Sequence, residues 1–140
     1  MKSSRFARRL ALTVTGVAMA FSFAGVANAT SPKKITSIGL MVQDMSNPFF
    51  SAMERGAKRA AKSIGATVNT QDAQLDLANQ NTQIDAFIQQ GVNLIVVSAV
   101  DESGIEPAIA RAKQAGIIVI AVDTPAKGAD AVVMTDAVQA

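Results

Sequence analysis

Between Lys33 and Met134, short β-branched runs alternate with longer segments of helical period, and a glycine stands at the end of each helical segment. Strands are expected at 35–42, 66–69, 93–99, 117–122 and 131–134, and the run Leu94-Ile95-Val96-Val97 has the continuous apolar character of a strand buried on both faces. Ser46-Asn47-Pro48 opens the first helix, since Ser or Asn caps free N–H groups and proline suits the first turn. Phe49, Met53, Gly56, Ala57, Ala60, Ala61 and Ile64 then recur at three and four, although Phe50 fits the same stripe through Met53 and Ala57. A second helix over 75–90 turns Leu77, Ile84, Phe87 and Ile88 inward and leaves its amides, Gln80 among them, on a solvated face. In the third, Ile105, Ala108, Ile109, Ala112 and Ala115 face inward; Ser103 and Glu106 resemble a capping box, which Pro107 disturbs. Strands alternating with helices specify an α/β fold, a doubly wound parallel sheet with its first strand central.

The first nine residues hold Lys2, Arg5, Arg8 and Arg9, and no acidic residue precedes Asp44. An apolar stretch over 10–26 follows, then Ala27-Asn28-Ala29, a small-x-small cleavage pattern. Basic, apolar and small-residue regions in that order read as a secretory signal peptide over 1–29, cleaved after Ala29. A membrane anchor is the competing reading, but the apolar stretch falls short of the ~20 residues needed to span a bilayer. The remainder, 30–140, carries nine basic and eleven acidic residues, a net charge of −2. It has no basic stripe to neutralise phosphates, so nucleic acid is not an expected partner. Export without cysteine also excludes a lipidated N-terminus and points to the periplasm.

The chain contains no Cys, His, Trp or Tyr, which removes thiolate nucleophiles, imidazole bases, zinc clusters and disulfides. Residues 43–48, after the first strand, contain no glycine, and neither dinucleotide nor P-loop phosphate motif occurs. No enzyme activity, cofactor or metal is expected.

Open α/β sheets bind ligands beyond the carboxyl ends of their strands. That edge gathers Gln43, Asp44, Ser46, Asn47, Phe49 and Phe50, then Ser98 and Asp101, then Asp123 and Thr124, then Thr135 and Asp136. Amides, hydroxyls, carboxylates and phenyl rings suit a polyhydroxylated small molecule: a carboxylate accepts from neighbouring hydroxyls, an amide both donates and accepts, and a ring covers the C–H face of a sugar. Each residue also has a plainer role, Asn47 as a helix cap, one phenylalanine as core, Asp123 as a turn residue and Asp101 as a loop or capping residue. Asp44, Asp101 and Asp123 share the edge, so a carboxylate pair for glycoside hydrolysis is the enzyme alternative.

Met45-Ser46-Asn47-Pro48-Phe49-Phe50 resembles the periplasmic sugar-binding proteins of the ribose-binding class. The likeness continues through Gln89-Gln90-Gly91-Val92-Asn93-Leu94-Ile95-Val96-Val97, Ala115-Gly116-Ile117-Ile118-Val119-Ile120, Asp123 and Thr135-Asp136. It implies the flavodoxin-like (Rossmann-like) N-terminal lobe of a type I periplasmic binding protein, which captures a monosaccharide or polyol and delivers it to an ABC permease, in some members also signalling to a chemoreceptor. It further implies that Asn47 hydrogen-bonds the sugar, that one or both of Phe49 and Phe50 stack on it, that Asp123 clamps two hydroxyls, and that Gln43 lines the pocket. Ribose binders carry arginine immediately after the aspartate; here Thr124 stands there, and one hydroxyl does not replace a five-donor fork, which opens the ligand class to other sugars and polyols. Full-length members add a second lobe and act as monomers, so 30–140 is expected to be an incomplete lobe that alone binds sugar weakly or not at all.

Two further readings share this fold, a receptor for a quorum signal or other small polar solute and a truncated fragment without function. A sugar-responsive repressor would carry a basic helix-turn-helix where the signal peptide stands. When the full chain is expressed in a Gram-negative host, N-terminal sequencing of the periplasmic fraction is expected to start at Thr30; intact Met1 in the membrane fraction would establish the anchor instead.

Overall fold

Leu40 and Val42 turn to one side of the first strand, Gly39 and Met41 to the other, and all four are buried. This is β1 (Ser37–Val42) of a computed structural model that describes residues 34–135; the expected leader and Asp136 lie outside the described residues. The remaining elements are α1 (Pro48–Ser63), β2 (Thr67–Asp72), α2 (Leu77–Gln90), β3 (Leu94–Val97), α3 (Glu106–Gln114), β4 (Ile118–Val122) and β5 (Ala131–Val133). All adjacent strands pair in parallel in the order β2-β1-β3-β4-β5. That is the flavodoxin-like order, and it corrects the expectation of a central β1. β2 pairs on one side of β1, the chain then crosses to the other, and β3 takes the middle.

Helices cover both faces. On one, Phe50, Met53 and Ala57 of α1 pack against Leu40, Val42, Val68 and Val96. On the other, Ile84 and Phe87 of α2 and Ala108, Ile109 and Ala112 of α3 pack against Met41, Ile95, Val97, Val119 and Ala121. The α1 stripe is narrower than its spacing suggests: Ala60 and Ile64 are exposed, as is Ala115 after α3. Burying a side chain such as Phe87 contributes roughly 1.5–3 kcal/mol.

Helix ends follow local chemistry. Gly91 and Gly116 adopt left-handed φ of 66° and 76°. At each, the glycine N–H and the next residue's N–H turn back to the last helical turn, Gly91 to Ile88, Val92 to Phe87, Gly116 to Lys113 and Ile117 to Ala112. Val92 and Ile117 are buried immediately afterwards and lead into β3 and β4. Gly39 has a different reason to lack a side chain. A Cβ there would lie 2.6 Å from the Phe87 ring.

Three expectations require correction. β2 starts at Thr67 and ends at Asp72, three residues past the expected end at Asn69, because an edge strand is held by its backbone, and all six residues register with β1. α2 begins at Leu77, not at 75, because Gln74 and Leu75 take left-handed φ of 56° and 57° and the Asp76 carboxylate caps the Asn79 N–H. No Ser103 side-chain cap forms at α3; the Asp101 carboxylate accepts the N–H groups of Ser103 and Gly104, and Pro107 occupies the first turn.

β5 is exposed throughout, and Ile118, Val132, Val133 and Met134 carry accessible apolar surface. Asp130 fastens its entrance: its N–H donates to the Val119 carbonyl, its carboxylate accepts the Val119 N–H at 2.9 Å, and Lys113 pairs with it at 2.8 Å. Substituting Gly39→Ala is expected to destabilise the fold by roughly 1–3 kcal/mol through overpacking against Phe87, measured by urea unfolding, and Phe87→Leu in the same chain is expected to recover part of the loss.

Candidate ligand-binding site at the carboxyl edge of the sheet

Parallel pairing sets Met41, Val97 and Ala121 level with one another. Two residues further on, Gln43, Ala99 and Asp123 therefore emerge side by side at the carboxyl edge. Gln43 is half-buried and bonds to the loop after each of the next three strands. Its carbonyl accepts the Leu75 N–H at 2.8 Å. Its Nε2 donates at 2.7 Å to the Ala99 carbonyl and at 2.7 Å to Thr124 Oγ1. Both amide hydrogens are thus engaged, leaving Oε1 as an acceptor. Thr124 Oγ1, having accepted, keeps its own proton to donate.

Asp123 sits at φ 65° in a conformation that costs a non-glycine residue roughly 1 kcal/mol. The Thr124 N–H donates to the Val122 carbonyl at 2.7 Å across it, closing a γ-turn of the rarer, positive-φ kind. The Asp123 N–H donates to the Val133 carbonyl at 3.0 Å. Its side chain is exposed, with Oδ2 at 3.5 Å from the buried Ser98 hydroxyl, the outer limit of a hydrogen bond.

Asn47 is the N-cap of α1. Its Oδ1 accepts the Phe49 N–H at 3.0 Å, so its Nδ2 carries two donors without a protein partner. The two phenylalanines divide their work. Phe50 is 5% exposed and belongs to the core under α1, whereas Phe49 is 49% exposed and meets it edge-on with ring centroids 5.2 Å apart. Phe49 is the ring that is free to cover a ligand.

The three carboxylates of this edge are not alike. The Ser46 hydroxyl donates to Asp44 at 2.6 Å and the Ser46 N–H at 2.8 Å, and these bonds hold the Asp44 carboxyl below the usual carboxylate range. Asp101 is likewise committed to its own turn. Asp123 alone of the three accepts no backbone N–H. An array of a carboxylate, amides, a hydroxyl and a phenyl ring can bind hydroxyl groups. Among the described residues no group of His, Cys, Asp or Glu could hold a metal ion, and no helix is long and apolar enough to cross a membrane.

A parallel sheet of this order with a polar carboxyl edge matches a lobe of the type I periplasmic binding protein class. Residues 38–140 match the periplasmic binding protein domain, and the chain belongs to that family. It is 36% identical over 95 residues to the ribose import binding protein RbsB of Bacillus subtilis, an alignment covering 68% of this chain and 31% of that protein. Among solved structures, an ABC transporter solute-binding protein from Mycobacterium smegmatis with bound glycerol is 33% identical with a TM-score of 0.66, covering 70% of this chain and 34% of that one. The Caulobacter myo-inositol binding protein, bound to myo-inositol, is 27% identical with a TM-score of 0.63, covering 74% and 34%. The chain spans 31–40% of the length of the first curated relatives it matches.

Gln80 is the residue that the reading of the sequence misplaced. It is fully buried rather than solvated: its Nε2 donates to the Ser98 carbonyl and its Oε1 accepts the Val100 N–H, each at 3.0 Å. The side-chain amide extends β3 as a strand would, and Gln83 and Asn79 similarly bind the carbonyls of Asp72 and Ala73. A run of amides marks the helix, but their partners lie on another element and leave no local pattern. Gln80→Leu is expected to cost roughly 2–4 kcal/mol in thermal unfolding, since it strands a carbonyl and an N–H that Gln80 satisfies.

Proposed function

We propose that this chain forms the sugar- or polyol-binding lobe of a receptor that serves an ABC importer. It is exported to the periplasm by the leader over 1–29, delivers its ligand to a permease in the inner membrane, and acts by binding without turnover. The relatives named above, binders of ribose and myo-inositol among them, support this class of ligand. A chemoreceptor is a second partner of the same kind of lobe, and the full-length receptor acts as a monomer.

One observation carries the reading: the exposed groups Asn47 Nδ2, the Phe49 ring and the Asp123 carboxylate belong to the segments that follow β1 and β4 at the same edge of the sheet, with Gln43 and Thr124 joined between them. Asp123 accepts two ligand hydroxyls, Asn47 donates to a ligand oxygen, and Phe49 covers the C–H face. Phe50 supports Phe49 from below. The loops bearing these groups offer no unpaired cation to an anionic ligand, since Lys127 pairs with Glu106 at 2.8 Å, so the lobe selects an uncharged guest.

NMR titration of the full chain with D-ribose, xylitol and myo-inositol tests this, because shift changes register weak binding. Saturable changes are expected at Asn47, Phe49 and Asp123 for at least one probe, with the probe recovered unaltered. Asn47→Asp keeps an oxygen for the helix cap and removes the donor; Asp123→Gly keeps the positive φ and removes the carboxylate. Each is expected to leave stability within about 1 kcal/mol of the parent and to weaken binding by about 10–150-fold, the equivalent of one charge-assisted hydrogen bond at roughly 1.5–3 kcal/mol. Shift changes spread over the surface, or conversion of the probe, would overturn the assignment.

A further inference from the structure

Asp123 is held in an unfavourable backbone conformation, and nothing in its own side chain accounts for that. Among the described residues, the Ser98 hydroxyl at 3.5 Å is its one side-chain hydrogen-bonding neighbour. Strain of this kind persists where surrounding contacts over-determine it. Two of the contacts belong to the turn and the sheet, the bonds from Thr124 N–H to Val122 and from Asp123 N–H to Val133. The third comes from two strands away. Neighbouring strands lie about 4.8 Å apart, so a residue at the end of β1 meets the loop of β4 only by reaching across β3. Gln43 does this, using the Ala99 carbonyl as a midpoint support and ending on Thr124 Oγ1. The amide cannot rotate without losing one of two 2.7 Å bonds, because the Ala99 carbonyl accepts only from Nε2. The midpoint is itself fixed. Gln80, fully buried, bonds to the residues on either side of Ala99.

We propose that Gln43 is the positioning residue of this site, holding Asp123 in its positive-φ turn through Thr124 so that the carboxylate stays presented beyond the sheet edge. The inference rests on the binding role assigned to Asp123. It adds that the orientation of this carboxylate is governed by a side chain eighty residues earlier in the chain, and that the loops after β1 and β4 form one unit.

The test is made on the full chain by NMR. A residue at positive φ has its amide and α protons close together, so the intraresidue HN–Hα cross-peak of Asp123 is expected to be strong in the parent. In Gln43→Ala and in the near-isosteric Thr124→Val it is expected to fall to the intensity of ordinary extended residues, while Thr124→Ser, which keeps the accepting hydroxyl, retains it. Thr124→Val also removes the partner of only one Gln43 amide proton; that proton is expected to shift while the one bound to Ala99 does not. Xylitol, D-ribose and myo-inositol serve as probes. Gln43→Ala is expected to weaken binding at least tenfold in the parent and to have no further effect once Asp123→Ala is present. A strong Asp123 cross-peak surviving in both Thr124→Val and Gln43→Ala would overturn the brace. So would full additivity of Gln43→Ala and Asp123→Ala. Should no probe bind the parent, the proposed ligand class fails, and the cross-peak alone still decides whether Gln43 holds the turn.

Discussion

The parallel ladder joining β1, β3 and β4 is the constraint on which the site depends. Its register sets three strand ends at one height, and the functional groups leave the sheet within two residues of those ends. A slip of one residue would send each side chain to the opposite face, burying Gly39 and Met41 where Leu40 and Val42 now meet α1. Fit between Gly39 and Phe87 on one face, and between Leu40, Val42 and Phe50 on the other, makes such a slip unfavourable. Core packing and the spacing of the proposed ligand-binding groups thereby depend on the same hydrogen bonds.

Above this ladder lies a second layer built from amides. Gln80 prolongs β3 from within the core, Gln83 and Asn79 hold the end of β2, and Gln43 links the ends of β1, β3 and β4. Amides suit such work because one group both donates and accepts, matching the backbone with no charge to desolvate. Carboxylates nearby, Asp44, Asp76 and Asp101, serve at the surface, where each closes a local turn or cap. Asp123 stands apart from all of these.

Much of this was legible before any coordinates. Apolar runs marked β1, β3 and β4, glycines marked the helix ends, and Asn47-Pro48 marked the start of α1, because each depends on chemistry within a few residues. The polar edge strand β2 was read short because its partner is the backbone of β1. The left-handed pair Gln74 and Leu75 gave no warning, being residues that rarely adopt that conformation. The choice between Phe49 and Phe50 needed the position of the sheet, since helical spacing accepts either. Gln43 was recognised as a residue of the edge, but its reach to Thr124 depends on strand order, which local periodicity does not carry. The chemical inventory of the site was visible early; its wiring was not.

The left-handed backbone at Asp123 also narrows how the protein can diversify. Glycine accepts that conformation without cost and aspartate or asparagine at a modest one, while β-branched and bulky side chains are strained there. On the proposed binding role, change toward a new guest has little room at this position and would pass through residues at ordinary φ, such as Phe49 and Thr124.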